Sequence, residues 1–467
     1  METTKLLIDG ALVDGDRTLD VVNPATGKPF MQVACASAAQ MEAAIEAAHA
    51  AFPAWAATPL DQRRAKLVEL ADALSAQAEE FARMLTLEQG KPLAEAQAEI
   101  AYTEAFIRHF ATLDLPVRTV VDDDAKKVQV RRRPLGVVAA IIPWNFPVLI
   151  ISFKLPLALL AGNTVVVKPA ATTPVTALMM GTLMRDIFPA GVVNVVTDDN
   201  DLGPVLTSHP RVAKVSFTGS IETGKNVMAS AASTLKRITL ELGGNDPAIV
   251  LDDVDVEETA AKVFGAAFMN CGQVCLAIKR AYVHESIYDR MCEALGRLAR
   301  EAIVDDGLKQ GTQIGPIQNR DQFEKVKSFL EDAKAHGIII AGGNVIERDG
   351  FFIEPTIVRD VTDGDRIVDE EQFGPILPVI RFTDIDEVIA RANNTSYGLG
   401  GSVWSADVER AAELATRVES GTVWVNQHLD FGPNIPFGGA KQSGIGLEFS
   451  EEGLNEFTQV QVINIAK

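Results

Sequence analysis

The residues best equipped for chemistry stand in Asn270-Cys271-Gly272-Gln273-Val274-Cys275, with Leu240-Glu241-Leu242-Gly243-Gly244-Asn245 upstream. A thiolate attacks carbonyl carbon, and a carboxylate is a base able to activate a thiol or a water. A lone cysteine is most often a small buried hydrophobe. Cys275 instead follows a glycine and a glutamine and has no apolar periodicity around it. Cys271 lies one helical turn earlier, so on a helix the two thiols would share a face. No histidine or third cysteine stands beside them to complete a metal site, and none is expected. Glu241 follows the strand-like Ile238-Thr239-Leu240, where it reads either as a solvated strand-end carboxylate or as a base.

Other polar residues sit where apolar ones would be usual. Asn145 lies between Pro143 and Pro147, a place where packing does not call for an amide and where a turn amide can satisfy backbone groups. Lys154 interrupts an apolar run. Lys168-Pro169-Ala170 closes one β-branched run, a place for a ribose over a sheet's carboxyl edge. Phe217-Thr218-Gly219-Ser220 closes another and opens a helix that holds Gly224, suited to a pyrophosphate at its N-terminus. Gly219 to Lys225 nearly spells a nucleotide-hydrolase P-loop, but Asn226 takes the place of its magnesium-binding hydroxyl. Glu370-Glu371-Gln372-Phe373 alone reads as a charged turn before a strand. The histidines are scattered without ligand spacing.

These groups need a scaffold. A chain of 467 residues exceeds one core, and its length predicts roughly three domains. Apolar content of 47% with 23% charged residues is that of a soluble globular enzyme. A net charge of −20 argues against nucleic acid. Four cysteines are too few for a disulfide framework, which fits a reducing cytoplasm. The N-terminus lacks a signal-peptide pattern, and Lys154 and Pro156 break the longest apolar stretch, so no membrane partner is expected. Residues 37–112 carry helical spacing, with interruptions predicted at Pro53, Pro59 and Gly90-Lys91-Pro92. Residues 117–133 read as a β-hairpin. From Leu135 short β-branched runs at 137–142, 164–167, 192–196 and 214–217 alternate with helical stretches, the pattern of a buried parallel sheet. A second such series runs from Pro247 to about Gly439. Residues 457–465 read as a half-exposed terminal strand.

Taken together, Gly-Gln-x-Cys ending at Cys275, Glu241-Leu242-Gly243-Gly244, Pro143-Trp144-Asn145-Phe146-Pro147, Phe-Thr-Gly-Ser at 217–220, Glu371-x-Phe373-Gly374-Pro375 and Pro436-Phe437-Gly438-Gly439 resemble the aldehyde dehydrogenase superfamily, in that family's order. The resemblance implies an α/β fold. Its parts would be a Rossmann-like cofactor domain (1–113 and 134–243), an α/β catalytic domain (244–441) and a small β oligomerisation element (114–133 and 442–467).

It also implies roles. Cys275 would be the nucleophile, Glu241 the general base, Asn145 an oxyanion donor with the Cys275 amide, and Lys154 a support for proton transfer. Trp144, Lys168, Ala171, Gly219, Ser220, Gly224, Glu371 and Phe373 would hold NAD or NADP. Phe146, Ile150, Phe153, Val274 and Leu276 would line a substrate tunnel with His428, Leu429, Phe431 and Phe437. The apolar lining leans toward an uncharged aliphatic or aromatic aldehyde. A succinate-semialdehyde-type enzyme is the alternative, and a coenzyme A-acylating one is disfavoured by the presence of Glu241. Ala171 replaces the carboxylate that in this family repels the NADP phosphate, leaving Lys168 able to pair with it, so NADP acceptance is expected. A homodimer or homotetramer is expected from the terminal strand.

Overall fold

The computed structural model describes residues 4–467. Two largely parallel sheets carry the molecule, each covered by helices as burial of both faces requires. The first has eight strands. From one edge they run Gly444–Ile445, Arg237–Glu241, Val212–Thr218, Val137–Ile141, Thr164–Lys168, Val193–Val195, Leu6–Ile8 and Ala11–Val13. Its central strands, Arg237–Glu241 to Val193–Val195, are all parallel. The second sheet has seven strands, in the order Ile338–Ala341, Thr356–Arg359, Ile376–Phe382, Ile278–His284, Asp246–Val250, Gly400–Trp404 and Thr422–Val425. All but its first are parallel.

Strand order reverses in the first sheet between Val137–Ile141 and Val212–Thr218. From the former the chain winds outward through Thr164–Lys168 and Val193–Val195, then returns to its other side. The carboxyl ends of strands flanking such a reversal diverge and leave a crevice. Trp144-Asn145 follows one of these ends and Gly219-Ser220 the other.

Two buried glutamates from the helical layer anchor the helices that frame this crevice. The helix Pro147–Ala161 has no side-chain cap of its own. Instead Glu99, from the helix Leu93–Phe110, accepts the amides of Val148 and Leu149 at 3.1 and 3.2 Å. Glu88, from Ala78–Gln89, accepts those of Val175 and Thr176 at the start of Val175–Ile187. A carboxylate at a helix N-terminus satisfies orphan N–H groups and complements the dipole. Glu99 also forms an ion pair of 2.5 Å with Lys91, both side chains fully enclosed.

Several expectations need correction. Pro53 lies inside the continuous helix Ala38–Ala57. It and His49, whose carbonyl loses its amide partner, are on the exposed face, where solvent is within reach of the freed carbonyl. The hairpin Arg118–Asp122 and Lys126–Pro134 does pair with the terminal strand Thr458–Ala466 in one antiparallel sheet. Residues 442–456 lie elsewhere: Gly444–Ile445 completes the first sheet against Leu240–Glu241, and Ser450–Glu456 is helical. The strands Leu6–Ile8, Ala11–Val13 and Gly400–Trp404 went unmarked because they are short or glycine-rich. The predicted half-buried alternation in the terminal strand is incomplete, since its Val460 and Val462 are 53% and 58% exposed.

The Lys91–Glu99 pair generates a direct test. Lys91→Met leaves the Glu99 charge buried without its counterion and is expected to cost about 3–5 kcal/mol in urea unfolding. A loss below about 1 kcal/mol would show that the pair does not anchor the helix Pro147–Ala161.

Candidate functional site

The nucleophile loop begins where the helix Val256–Phe268 ends. Asn270, Cys271 and Gly272 take left-handed φ values of 49°, 58° and 71° in succession. A Cβ on Gly272 would lie 2.3 Å from the Gly374 carbonyl oxygen, so only glycine fits there. The left-handed run breaks the helix that would have put both thiols on one face. Cys271 is buried in the core around the second sheet. Cys275 packs against the core of the first.

Cys275 and Asn145 lie at the junction of two cavities. One, of about 170 Å³, is an apolar tunnel lined by Phe146, Ile150, Phe153, Val274, Leu276, Leu429, Phe431 and Phe437. The other, of about 160 Å³, is lined by Trp144, Gly219, Ser220, Glu371 and Phe373. Through Pro143, Trp144, Gly219 and Ser220 it continues into a cleft of about 760 Å³ over the strand-order reversal, which Lys168 also lines. The Cys275 thiol thus faces the apolar tunnel on one side and, on the other, a small cavity that opens into the larger cleft.

Burial controls the protonation of these groups. The Cys275 thiol is pushed up to about 12 by desolvation; Lys279 opposes this, and Glu241, Glu371 and Asp246 add to it. Burial and then the neighbouring Glu448 raise Glu241 well above the usual carboxylate range, while Lys154 pulls it down. Both Glu241 oxygens are enclosed and unpaired among the described residues, leaving them free for a proton or a water. Gly438 of the Pro-Phe-Gly-Gly segment lies against them. Ser443 ties that segment to the Glu-Leu-Gly-Gly turn, its hydroxyl donating to the Gly243 carbonyl at 2.7 Å. Lys154 donates to Ser216 at 3.1 Å and forms a fully enclosed ion pair with Glu448.

The cleft fits a dinucleotide. Ser220 caps the helix Ile221–Ala232 through the Thr223 amide, presenting a helix N-terminus to the cleft. Glu371 accepts the Gly244 amide at 3.1 Å. Phe373 stands edge-on to Trp144 with ring centroids 5.4 Å apart. Two expected contacts are absent from the lining. A Cβ on Gly224 would strike Leu242 at 2.6 Å, so this glycine serves close helix packing. Ala171 is buried, and Ala170 and Thr172 face the cleft in its place. Lys168 is not a free cation: Asp198, at the end of the neighbouring strand, pairs with it at 2.6 Å.

His428 also departs from expectation. Left-handed backbone at Asn426 and Leu429 turns its imidazole away from the tunnel. The ring is enclosed, with Nε2 2.7 Å from the Leu276 carbonyl oxygen and 3.6 Å from Asp246. The tunnel instead gains Tyr102, Phe449 and Glu95. Burial raises the Glu95 carboxyl to about 7, and its Oε2 accepts the Asn270 amide at 3.0 Å. Glu95, Asp198, Glu448 and Lys279 are missed because each depends on a partner distant in sequence. The uninterrupted helical spacing over 93–110 could have placed Glu95 beside Glu99 and Tyr102.

The aldehyde dehydrogenase family model matches residues 12–463. Phenylacetaldehyde dehydrogenase of Pseudomonas fluorescens is 40% identical, with 99% of this chain and 96% of that protein covered. NADP(+)-type succinate-semialdehyde dehydrogenase of Escherichia coli is 39% identical over 98% and 97%. Betaine aldehyde dehydrogenase of Staphylococcus aureus, solved in complex with NAD+, superposes with a TM-score of 0.96 at 34% identity, covering 99% and 95%. The chain belongs to the aldehyde dehydrogenase family.

Because burial holds the Cys275 thiol protonated at neutral pH, its alkylation by iodoacetamide is expected to rise about tenfold per pH unit from pH 7 to 10. Cys271, buried in the other core, is expected to stay unlabelled in peptide mapping. A pH-independent rate would contradict the assigned burial of Cys275.

Proposed function

We propose that the chain oxidises an aldehyde to its carboxylic acid with NAD+ or NADP+, through a covalent intermediate on Cys275. The observation that carries this reading is that one thiol lies between an apolar tunnel and a small cavity that opens into a cleft large enough for a dinucleotide. Residues 1–113 and 134–243 supply most of that cleft, and residues 244–441 the nucleophile. Trp144, Lys168, Gly219, Ser220, Glu371 and Phe373 would hold the cofactor, which would supply the hydride acceptor.

Glu241 takes the Cys275 thiol proton and passes it on toward Glu448, and sulfur attack on the aldehyde carbon forms the C–S bond while the carbonyl electrons move to oxygen. The Asn145 side-chain amide and the Cys275 backbone N–H receive that oxyanion. Loss of hydride from the same carbon leaves a thioester. Glu241 then removes a proton from water as it adds to the thioester, and collapse releases the acid and the thiol. A carboxylate held well above its usual range is a stronger base once ionised, which suits this step. Glu448, the neighbouring carboxylate held by Lys154, is placed to accept the released proton.

The aromatic tunnel supports an uncharged aliphatic or aromatic aldehyde. Phe153, Phe431 and Phe449 pack with centroids 4.5 to 6.5 Å apart. An acid, Glu95, stands on the wall where an anionic semialdehyde would need a cation. All four cysteines are free, consistent with a cytoplasmic setting.

Cys275→Ala is expected to reduce aldehyde oxidation below about 1% while cofactor binding, read by protein fluorescence, is retained. Cys271→Ala is expected to keep most activity. Residual turnover in the first variant, followed by NAD(P)H absorbance across an aldehyde panel, would refute the nucleophile assignment.

Association is proposed through the terminal strand, which lies at an open sheet edge. Deleting residues after Glu456 is expected to give monomers or aggregates in light scattering; a native protein that is a soluble, active monomer would contradict this.

A further inference from the structure

Lys279 is the second residue of the strand Ile278–His284, in the middle of the second sheet. Its side chain is 2% exposed. An ammonium group there is tolerable only if its hydrogens are satisfied. Its Nζ donates to the carbonyl oxygens of Val274 at 2.8 Å and Cys275 at 2.7 Å, and lies 3.5 Å from Glu371 Oε1.

The identity of those carbonyls matters. The Val274 carbonyl and the Cys275 N–H belong to one peptide group, which is planar and trans, so they point in opposite directions. Holding the oxygen against Lys279 in the core aims the N–H away from it. A cation on the oxygen also polarises the group and makes that N–H a better donor. The second hydrogen bond fixes the peptide on the other side of the same residue. The third contact joins this clamp to Glu371 on the cleft wall.

We infer that Lys279 is a positioning residue for the nucleophile: gripping the carbonyls of Val274 and Cys275, it fixes the peptide that presents the Cys275 N–H and thiol to the cavity. This rests on the reading of Cys275 as nucleophile. The role is distinct from that of Lys154, which lies behind Glu241.

The electrostatic setting agrees. Around the thiol stand Glu241 at the end of Arg237–Glu241, Asp246 at the start of Asp246–Val250, and Glu371 in the loop after Arg366–Asp369. His428 stands behind them against Asp246. The three carboxyl groups push the thiol up, and Lys279 pulls it down. Removing Lys279 leaves the carboxyl groups unopposed, so ionisation of the thiol moves to higher pH.

The test is the pH profile of Cys275 alkylation by iodoacetamide, with the label located by mass spectrometry and no cofactor or aldehyde present. Thermal unfolding is measured on the same samples. Lys279→Met is expected to slow alkylation at pH 8 by about tenfold, a shift of about one pH unit. Lys279→Arg is expected to recover most of the rate. Lys279→Gln, which keeps a donor and loses the charge, is expected to shift the profile as Lys279→Met does and serves if the methionine variant does not fold. Folded uncharged variants with the wild-type profile and only a lowered melting temperature would overturn the inference. Failure of the underlying reading looks different: Cys275→Ala would then still oxidise aldehydes, whatever Lys279 does.

Discussion

The arrangement depends on a buried hydrogen-bond network centred on Asn270 and Gln273. The Asn270 side chain donates to the Asn145 carbonyl and accepts from Gln89, while its backbone amide donates to Glu95. Asn145 returns the connection by donating to the Gln273 carbonyl at 3.0 Å. Gln273 donates to the Asn270 carbonyl and accepts the Gln318 amide. Lys91 donates to the Asn145 carbonyl and to Glu99. Helical layer, strand-end turn and nucleophile loop are thereby joined by direct hydrogen bonds. Unpaired buried polar groups are costly, so such a network holds its members to one geometry when all are satisfied.

The same burial sets the chemistry. Burial pushes both the Cys275 thiol and the Glu241 carboxyl toward their protonated forms, and the Glu241 charge adds to the push on the thiol. The cations are placed with that in mind: Lys154 is paired with Glu448 near the acid, and Lys279 is coordinated by carbonyls next to the thiol. Reactivity then follows from which proton leaves, and the seam between the two sheets can be reached from both the tunnel and the cleft.

Much of this was legible in sequence where spacing is local. Alternating β-branched runs gave the parallel sheets, and the motifs around Cys275, Asn145 and Ser220 gave elements that do meet at one place. Contacts that link remote segments were not legible. Nothing near Lys168 marks Asp198 as its partner, and nothing near Pro147 shows that Glu99 caps that helix. Backbone conformation was also hidden. Left-handed residues at 426 and 429 turn His428 inward, and a left-handed run at 270–272 separates two thiols that periodicity would have paired. Gly224 fitted a phosphate-binding motif, yet the observed reason for a glycine there is the side chain of Leu242.

The central claim is that oxidation proceeds through an acyl group on Cys275 that Glu241 helps to hydrolyse. Glu241→Gln, mixed rapidly with cofactor and aldehyde, acid-quenched and analysed by peptide mass spectrometry, tests it directly. The account requires a burst of reduced cofactor, slowed less than the turnover that follows it, with a matching acyl mass accumulating on the peptide that contains Cys275. A burst without that adduct, or loss of burst and steady-state turnover together, would contradict it.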